Sequence, residues 1–226
     1  MNIHFIELRK RMLLSIFFFI NIFLVLFYFS DIIYDLFSMP IRTQMPINSN
    51  IVAIKVTSTF LIPLKLSFNL TLICSIPFFI FHIWNFIAPG LYDHEKTSIL
   101  PYLFFSILLF LLGNIFAFYI LCPIAINFFM TCSPNSVSIM IGINYYMDFV
   151  FSIMLAAGFS FQIPILINFL IRVNIVSKQY LSSKRSYVII LSFILGMILT
   201  PPDVISQILL AIPICFLFEI GLFFSK

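Results

Sequence analysis

Six stretches of the chain are apolar almost without interruption, at about Met12–Phe29, Leu66–Ile87, Ile99–Leu121, Phe149–Ile171, Tyr187–Thr200 and Val204–Phe224. None shows the strict alternation of a half-buried strand, and most approach the roughly twenty apolar residues that cross a bilayer core as a helix. Backbone amides at that depth must be satisfied within their own segment, so these runs are predicted to be helices. Proline and lysine punctuate them: Pro63 and Lys65 lead into the second, Pro77 lies within it, and Pro164 follows Gln162 in the fourth. Only Pro201, Pro202 and Asp203 separate the fifth from the sixth, which predicts a tight helical hairpin.

The fifth stretch is fourteen residues long, about 21 Å of helix against a hydrocarbon core of about 30 Å. The sixth is apolar from Val204 to Phe218, where Glu219 interrupts it. Two short neighbouring helices are expected to sit within other protein or to thin the bilayer beside them. The segments near Phe37–Phe60 and Cys122–Asp148 are expected to form at most short capping elements, so residues 1–226 read as one membrane domain.

Composition supports this reading. Of 226 residues, 62% are hydrophobic and only 9% charged, a balance unsuited to a soluble core of this size. The net charge of +4 is informative through its distribution, because Lys and Arg accumulate on the cytoplasmic side of membrane proteins. Arg9, Lys10, Arg11, Lys96, Arg172, Lys178, Lys184, Arg185 and Lys226 fall on one side, against Arg42, Lys55 and Lys65 on the other. Both termini are therefore expected in the cytoplasm. No basic patch points to nucleic acid. The first apolar run is long for a signal peptide and no small-residue cleavage site follows it, which predicts an uncleaved first span. Cys74, Cys122, Cys132 and Cys215 have no metal-ligand spacing, and nothing in the sequence calls for a cofactor or a metal. A Cys122–Cys132 disulfide outside the membrane stays open.

In so uncharged a chain the carboxylates stand out. Asp93 and Glu95, in the cytoplasmic DHEK stretch, are not explained by the positive-inside pattern. Asp93 reads as the N-cap of the third span; Glu95 is open between a helix-end interaction, a pair with Lys96 and an acceptor for a cationic guest. Glu7 precedes Arg11 by four residues, an i,i+4 pair, and equally suits a carboxylate clamp shared with Glu95. A guanidinium meets such a clamp with two parallel hydrogen bonds, an ammonium only as a hydrated point charge. Within the membrane, Gln162 calls for a hydrogen-bonding partner on another helix or a lined groove. Lys65 reads as a snorkelling side chain, and Glu219 as interfacial or buried in the bundle. Thr200, Asp203 and Gln207 gather at the outer end of the hairpin, as a turn cap or a polar docking point for another helix.

Three blocks, HFIELRKRM, PFFIFHIWNFIAPGLYDHEK and SYVIILSFILGMILTPPDVISQILLAIPICFLFEIGLFF, resemble the TatC family, the multispanning subunit of the twin-arginine protein translocase. The resemblance implies an all-α membrane fold of six helices in a curved, cupped bundle. It also implies a non-enzymatic receptor for the twin-arginine signal peptides of folded cargo, working in an oligomeric complex in the bacterial inner membrane and driven by the proton-motive force. By that resemblance the signal-peptide surface falls on His4, Glu7, Leu8, Arg9, Phe86, Pro89, Leu91, Tyr92 and Glu95, and contacts with the single-span partners TatA and TatB fall on Met197, Ile198, Thr200 and Gln207. Pro40 and Asp203 belong to outer loops, Pro40 matching a position that the family uses. Gln162 stands where many family members carry a glutamate, which removes a charge from the groove. The alternatives are a secondary transporter of a small solute and a haem-bearing membrane anchor. The first would want inverted repeats and several midplane ionisable groups; the second would want paired axial ligands, whereas His82 is the one histidine inside a span.

Overall fold

The computed structural model describes the backbone of residues 2–45, 50–52, 57–87, 93–132, 140–173, 175–199 and 204–225; within these, the side chains of residues 2–8, 50, 51, 59, 83–87, 93–100 and 199 are not described. The elements run α1 (Asn2–Tyr28), α2 (Ser30–Arg42), β1 (Asn50–Val52), α3 (Ser58–Ile87), α4 (Asp93–Phe116), a π-helical turn (Ala117–Leu121) and α5 (Cys122–Thr131). After these come β2 (Met140–Gly142), α6 (Ile143–Ser160), α7 (Ile163–Arg172), α8 (Lys178–Ser183), α9 (Arg185–Leu199) and α10 (Val204–Phe224). Among the described residues, five helical stretches are long and apolar enough to cross a membrane, and α9 is a shorter apolar helix. The chain clusters into two compact units, residues 1–38 with 53–107, and residues 39–52 with 108–226.

In the first unit, α1 packs along α3. Phe18 stacks on Phe78 with ring centroids 4.1 Å apart, and Phe19 meets Phe68 edge-on at 5.6 Å. The pairing of later α1 residues with earlier α3 residues makes the two helices antiparallel. Three polar side chains at membrane depth bond within their own helix: Ser15 donates to the Arg11 carbonyl, Asn21 to that of Phe17 and Thr71 to that of Ser67. Only 6% of the α1 span is buried inside the chain, so lipid or another protein must cover the remainder.

In the second unit, α10 packs against α9, α7 and α6. Leu210 and Ile214 of α10 form a buried cluster with Ala156 of α6, while Phe218 and Leu222 pack on Ile167 of α7. Gly221 allows this approach: a Cβ there would stand 2.9 Å from the Pro164 Cα. Prolines account for the helix breaks. Pro164 has no N–H, and the chain leaves the α-ladder just before it, at Phe161 and Gln162, where the Gln162 N–H reaches the Phe159 carbonyl at 3.0 Å. Pro123 follows the widened turn at Ala117–Leu121 in the same way.

The third and fourth spans are longer than expected. The helical run after α4 passes Leu121 to reach Thr131, and α6 begins at Ile143 rather than near Phe149. The short capping elements are α2, with Asp31 in its first turn and Arg42 in its last, and a three-residue parallel ladder pairing Asn50 with Met140, Ile51 with Ile141 and Val52 with Gly142. All four cysteines are free thiols, so Cys122 and Cys132 are not bridged.

Candidate functional site

The carboxylates singled out in the sequence lie on backbone of known form. His4, Glu7, Leu8 and Arg9 lie in the first turns of α1, Phe86 at the last turn of α3, and Glu95 in the first turn of α4. Arg9 is exposed; the side chains of His4, Glu7, Leu8, Phe86 and Glu95, and all of Pro89, Leu91 and Tyr92, lie outside the described residues. The register of α1 on α3 still brings the α1 and α3 backbones of this set together. From the Phe18–Phe78 stack, Glu7 lies eleven residues towards the α1 N-terminus and Phe86 eight residues towards the α3 C-terminus, about 16 and 12 Å along antiparallel axes at 1.5 Å per residue. One turn of α1 and the end of α3 therefore share one level, and α4 starts six residues beyond Ile87.

Just below that level His82 packs between Phe78 and Phe81, at 4.4 and 5.6 Å between ring centroids. Neither of its ring nitrogens has a partner among the described residues.

Gln162 is half-buried at the α6–α7 break, where its carbonyl restarts the helix by accepting from the Leu166 N–H at 3.0 Å. Across the hairpin, the Gln207 Nε2 donates to the Phe193 carbonyl at 2.8 Å. Met197 and Ile198 are 58% and 69% exposed, an apolar strip on α9 that the described residues leave largely uncovered. Thr200 and Asp203 lie outside the described residues; Pro40 is half-buried within α2.

Glu219, left open between interface and bundle interior, is half-exposed and ion-paired: Arg185 Nε stands 2.8 Å from its Oε1, and the Arg185 Nη2 donates to its Oε2 at 3.1 Å. The pair sets the polar boundary of the hairpin. Inside it, α9 offers Ser186–Leu199 and α10 Val204–Phe218, about 21 to 22 Å of helix each. Thus α10 is helical through Phe224 while its apolar part stays as short as expected. The i,i+34 spacing of Arg185 and Glu219 carries no local signal, which is why only the fold reveals their pairing.

Apolar helices of membrane-crossing length and a first helix that the chain itself leaves almost uncovered define a multi-pass α-helical membrane protein. The family model described as Sec-independent protein translocase protein (TatC) matches residues 3–213. Similar relatives include the TatC proteins of Escherichia coli (strain K12), 45% identical over 99% of this chain and 86% of the relative, and of Aquifex aeolicus (strain VF5), 33% identical over 99% and 93%. A crystal structure titled as the twin-arginine translocase receptor TatC superposes with a TM-score of 0.86 at 33% identity, covering 99% of this chain and 98% of that one; a second, in the detergent DDM, gives 0.88. The chain belongs to the TatC family. It is a non-enzymatic membrane subunit of the Sec-independent protein translocase, and the solute-transporter reading gives way to this one.

Proposed function

We propose that this subunit receives twin-arginine signal peptides at its cytoplasmic face and gathers single-span TatA- and TatB-like partners along its last hairpin, in the bacterial inner membrane. The observation that carries the reading is the likeness over 99% of the chain to a structure titled as the twin-arginine translocase receptor. The register that brings the first turns of α1 level with the end of α3 supports it, because Glu7 and Glu95 both sit close in sequence to that level.

The arginines of the signal peptide dock on Glu7 and Glu95, with His4, Leu8, Arg9, Phe86, Pro89, Leu91 and Tyr92 framing them. A guanidinium–carboxylate pair at 4 Å is worth about 4 kcal/mol at an effective dielectric near 20, but about 0 to 1 kcal/mol if fully exposed. Recognition of two arginines thus requires partial shielding, which a bound peptide itself supplies. The apolar part of the signal follows the groove near Gln162, and partner helices meet Met197, Ile198, Thr200 and Gln207 where the hairpin is short. Folded cargo then crosses at the expense of the proton-motive force.

Photo-crosslinking of a twin-arginine signal peptide to the protein in native membranes tests this. The Glu7→Ala, Glu95→Ala double variant is expected to lose at least ten-fold in crosslinking, the equivalent of about 1.4 kcal/mol. Undiminished crosslinking in that variant rejects the clamp.

A further inference from the structure

We infer that the cytoplasmic ends of α8 and α10 form a binding site for the headgroup of an anionic phospholipid. A cavity of about 990 Å³ opens there, lined by Lys178, Ser182 and Arg185 from α8 and the start of α9, and by Glu219, Leu222, Phe223 and Phe224 from the end of α10. Such a mixed basic and apolar lining matches a phosphate joined to acyl chains. Neither a free anion nor an apolar ligand would use both kinds of residue.

Three observations place the cavity at headgroup depth. The Arg185–Glu219 pair marks the polar boundary of the hairpin at its rim. Tyr180 and Tyr187 are 57% and 65% exposed beside it, with the Lys184 ammonium 5.6 and 4.9 Å from their ring centroids, an arrangement typical of the aromatic belt at a membrane surface. Phe223 and Phe224 are 80% and 69% exposed, an arrangement suited to acyl chains rather than water.

The charge balance favours an anion. Glu219 lines the cavity, but two bonds from Arg185 neutralise it and leave three guanidinium N–H groups unused. Among the described residues the Lys178 ammonium has one partner, the neutral Ser225 carbonyl, so its charge is uncompensated. Basic pockets between membrane helices on the cytoplasmic side are suited to lipid phosphate.

Native mass spectrometry of the full chain in detergent, titrated separately with phosphatidylglycerol, phosphatidylethanolamine and inorganic phosphate, tests the site. Phosphatidylglycerol is expected to bind about five-fold more tightly than phosphatidylethanolamine, as about 1 kcal/mol for one basic side chain near an anionic lipid implies. Lys178→Gln should abolish that preference. Glu219→Gln, which frees the guanidinium, should raise it, and Lys10→Gln, an exposed cation on α1, should leave it unchanged. Equal binding of the two lipids, a preference that survives Lys178→Gln or falls equally with Lys10→Gln, or full competition by inorganic phosphate would each overturn the proposal.

Discussion

The side-chain amide of Gln207 in α10 donates to the Phe193 carbonyl of α9 at 2.8 Å, and Gly196 is what lets the two helices come close enough. A Cβ at position 196 would stand 3.1 Å from the Gln207 Cγ and 3.2 Å from its backbone oxygen. The flexible Cγ can yield; the backbone oxygen cannot. The hairpin is therefore held by a small residue facing an amide, the combination that replaces hydrophobic driving force between helices in lipid.

Gly196→Val is expected to cost about 1 to 3 kcal/mol, as overpacking does. Gln207→Leu should cost only about 0.6 kcal/mol, the average for an interhelical hydrogen bond in a membrane. Because the glycine permits the bond, the double variant should cost less than the sum of the two. Reversible unfolding of the three variants in mixed detergent measures this order, and a larger loss from Gln207→Leu than from Gly196→Val would contradict it.

A second close approach joins α4 and α6. Gly158 faces Asn114 and Phe110, and a Cβ there would stand 2.7 Å from the Asn114 Nδ2, itself donating to the Phe110 carbonyl; one at Gly113 would stand 2.9 Å from the Ala157 carbonyl oxygen. Alanine at either position should destabilise by about 1 to 3 kcal/mol. Gly113→Ala should be the worse, since it strikes a backbone atom and Gly158→Ala strikes side chains. Thermal melting of the purified variants separates the two.

These contacts explain what could and could not be read from the sequence. Hydropathy locates the spans because each is apolar almost without interruption, and Pro164 announces the α6–α7 break through its missing N–H. The amphipathic α2 escapes it, because Asp31, Asp35 and Arg42 dilute the apolar residues of its thirteen positions. The β1–β2 ladder joins residues about ninety positions apart and leaves no periodic trace. At the candidate sites, Gln207 is visible as a polar residue at a span end, but its acceptor is a backbone carbonyl that no residue type discloses. Glu219 shows its charge in the sequence but not its partner, which lies one helix back.

The free thiols offer a check on topology. Cys132, just past α5, is exposed, whereas Cys122 at the start of α5 is fully buried. With both termini inside, Cys132 faces the outside. A membrane-impermeant maleimide added to spheroplasts should label the chain once, and Cys132→Ser should abolish labelling. Cys74 is exposed but sits mid-helix in α3, at lipid depth, where a charged reagent does not reach. Labelling that requires lysis would place Cys132 inside and reverse the orientation drawn from the distribution of Lys and Arg.

The Arg185–Glu219 pair separates stability from position. Its side chains are 55% and 50% exposed, and pairs so exposed contribute about 0 to 1 kcal/mol. Arg185→Leu with Glu219→Leu removes both charges together and leaves neither unpaired, so unfolding in detergent should shift by less than about 1 kcal/mol. In a bilayer the consequence differs, because the apolar stretch of α10 then runs from Val204 through Phe224, about 31 Å rather than about 22 Å. A hydrophobic segment that matches the core no longer needs a thinned bilayer. Spin labels at position 216 should move deeper by about one helical turn, about 5 Å, as read by their accessibility to oxygen against a polar relaxant. If the hairpin keeps its depth in the double variant, the ion pair is not what holds its apolar part short.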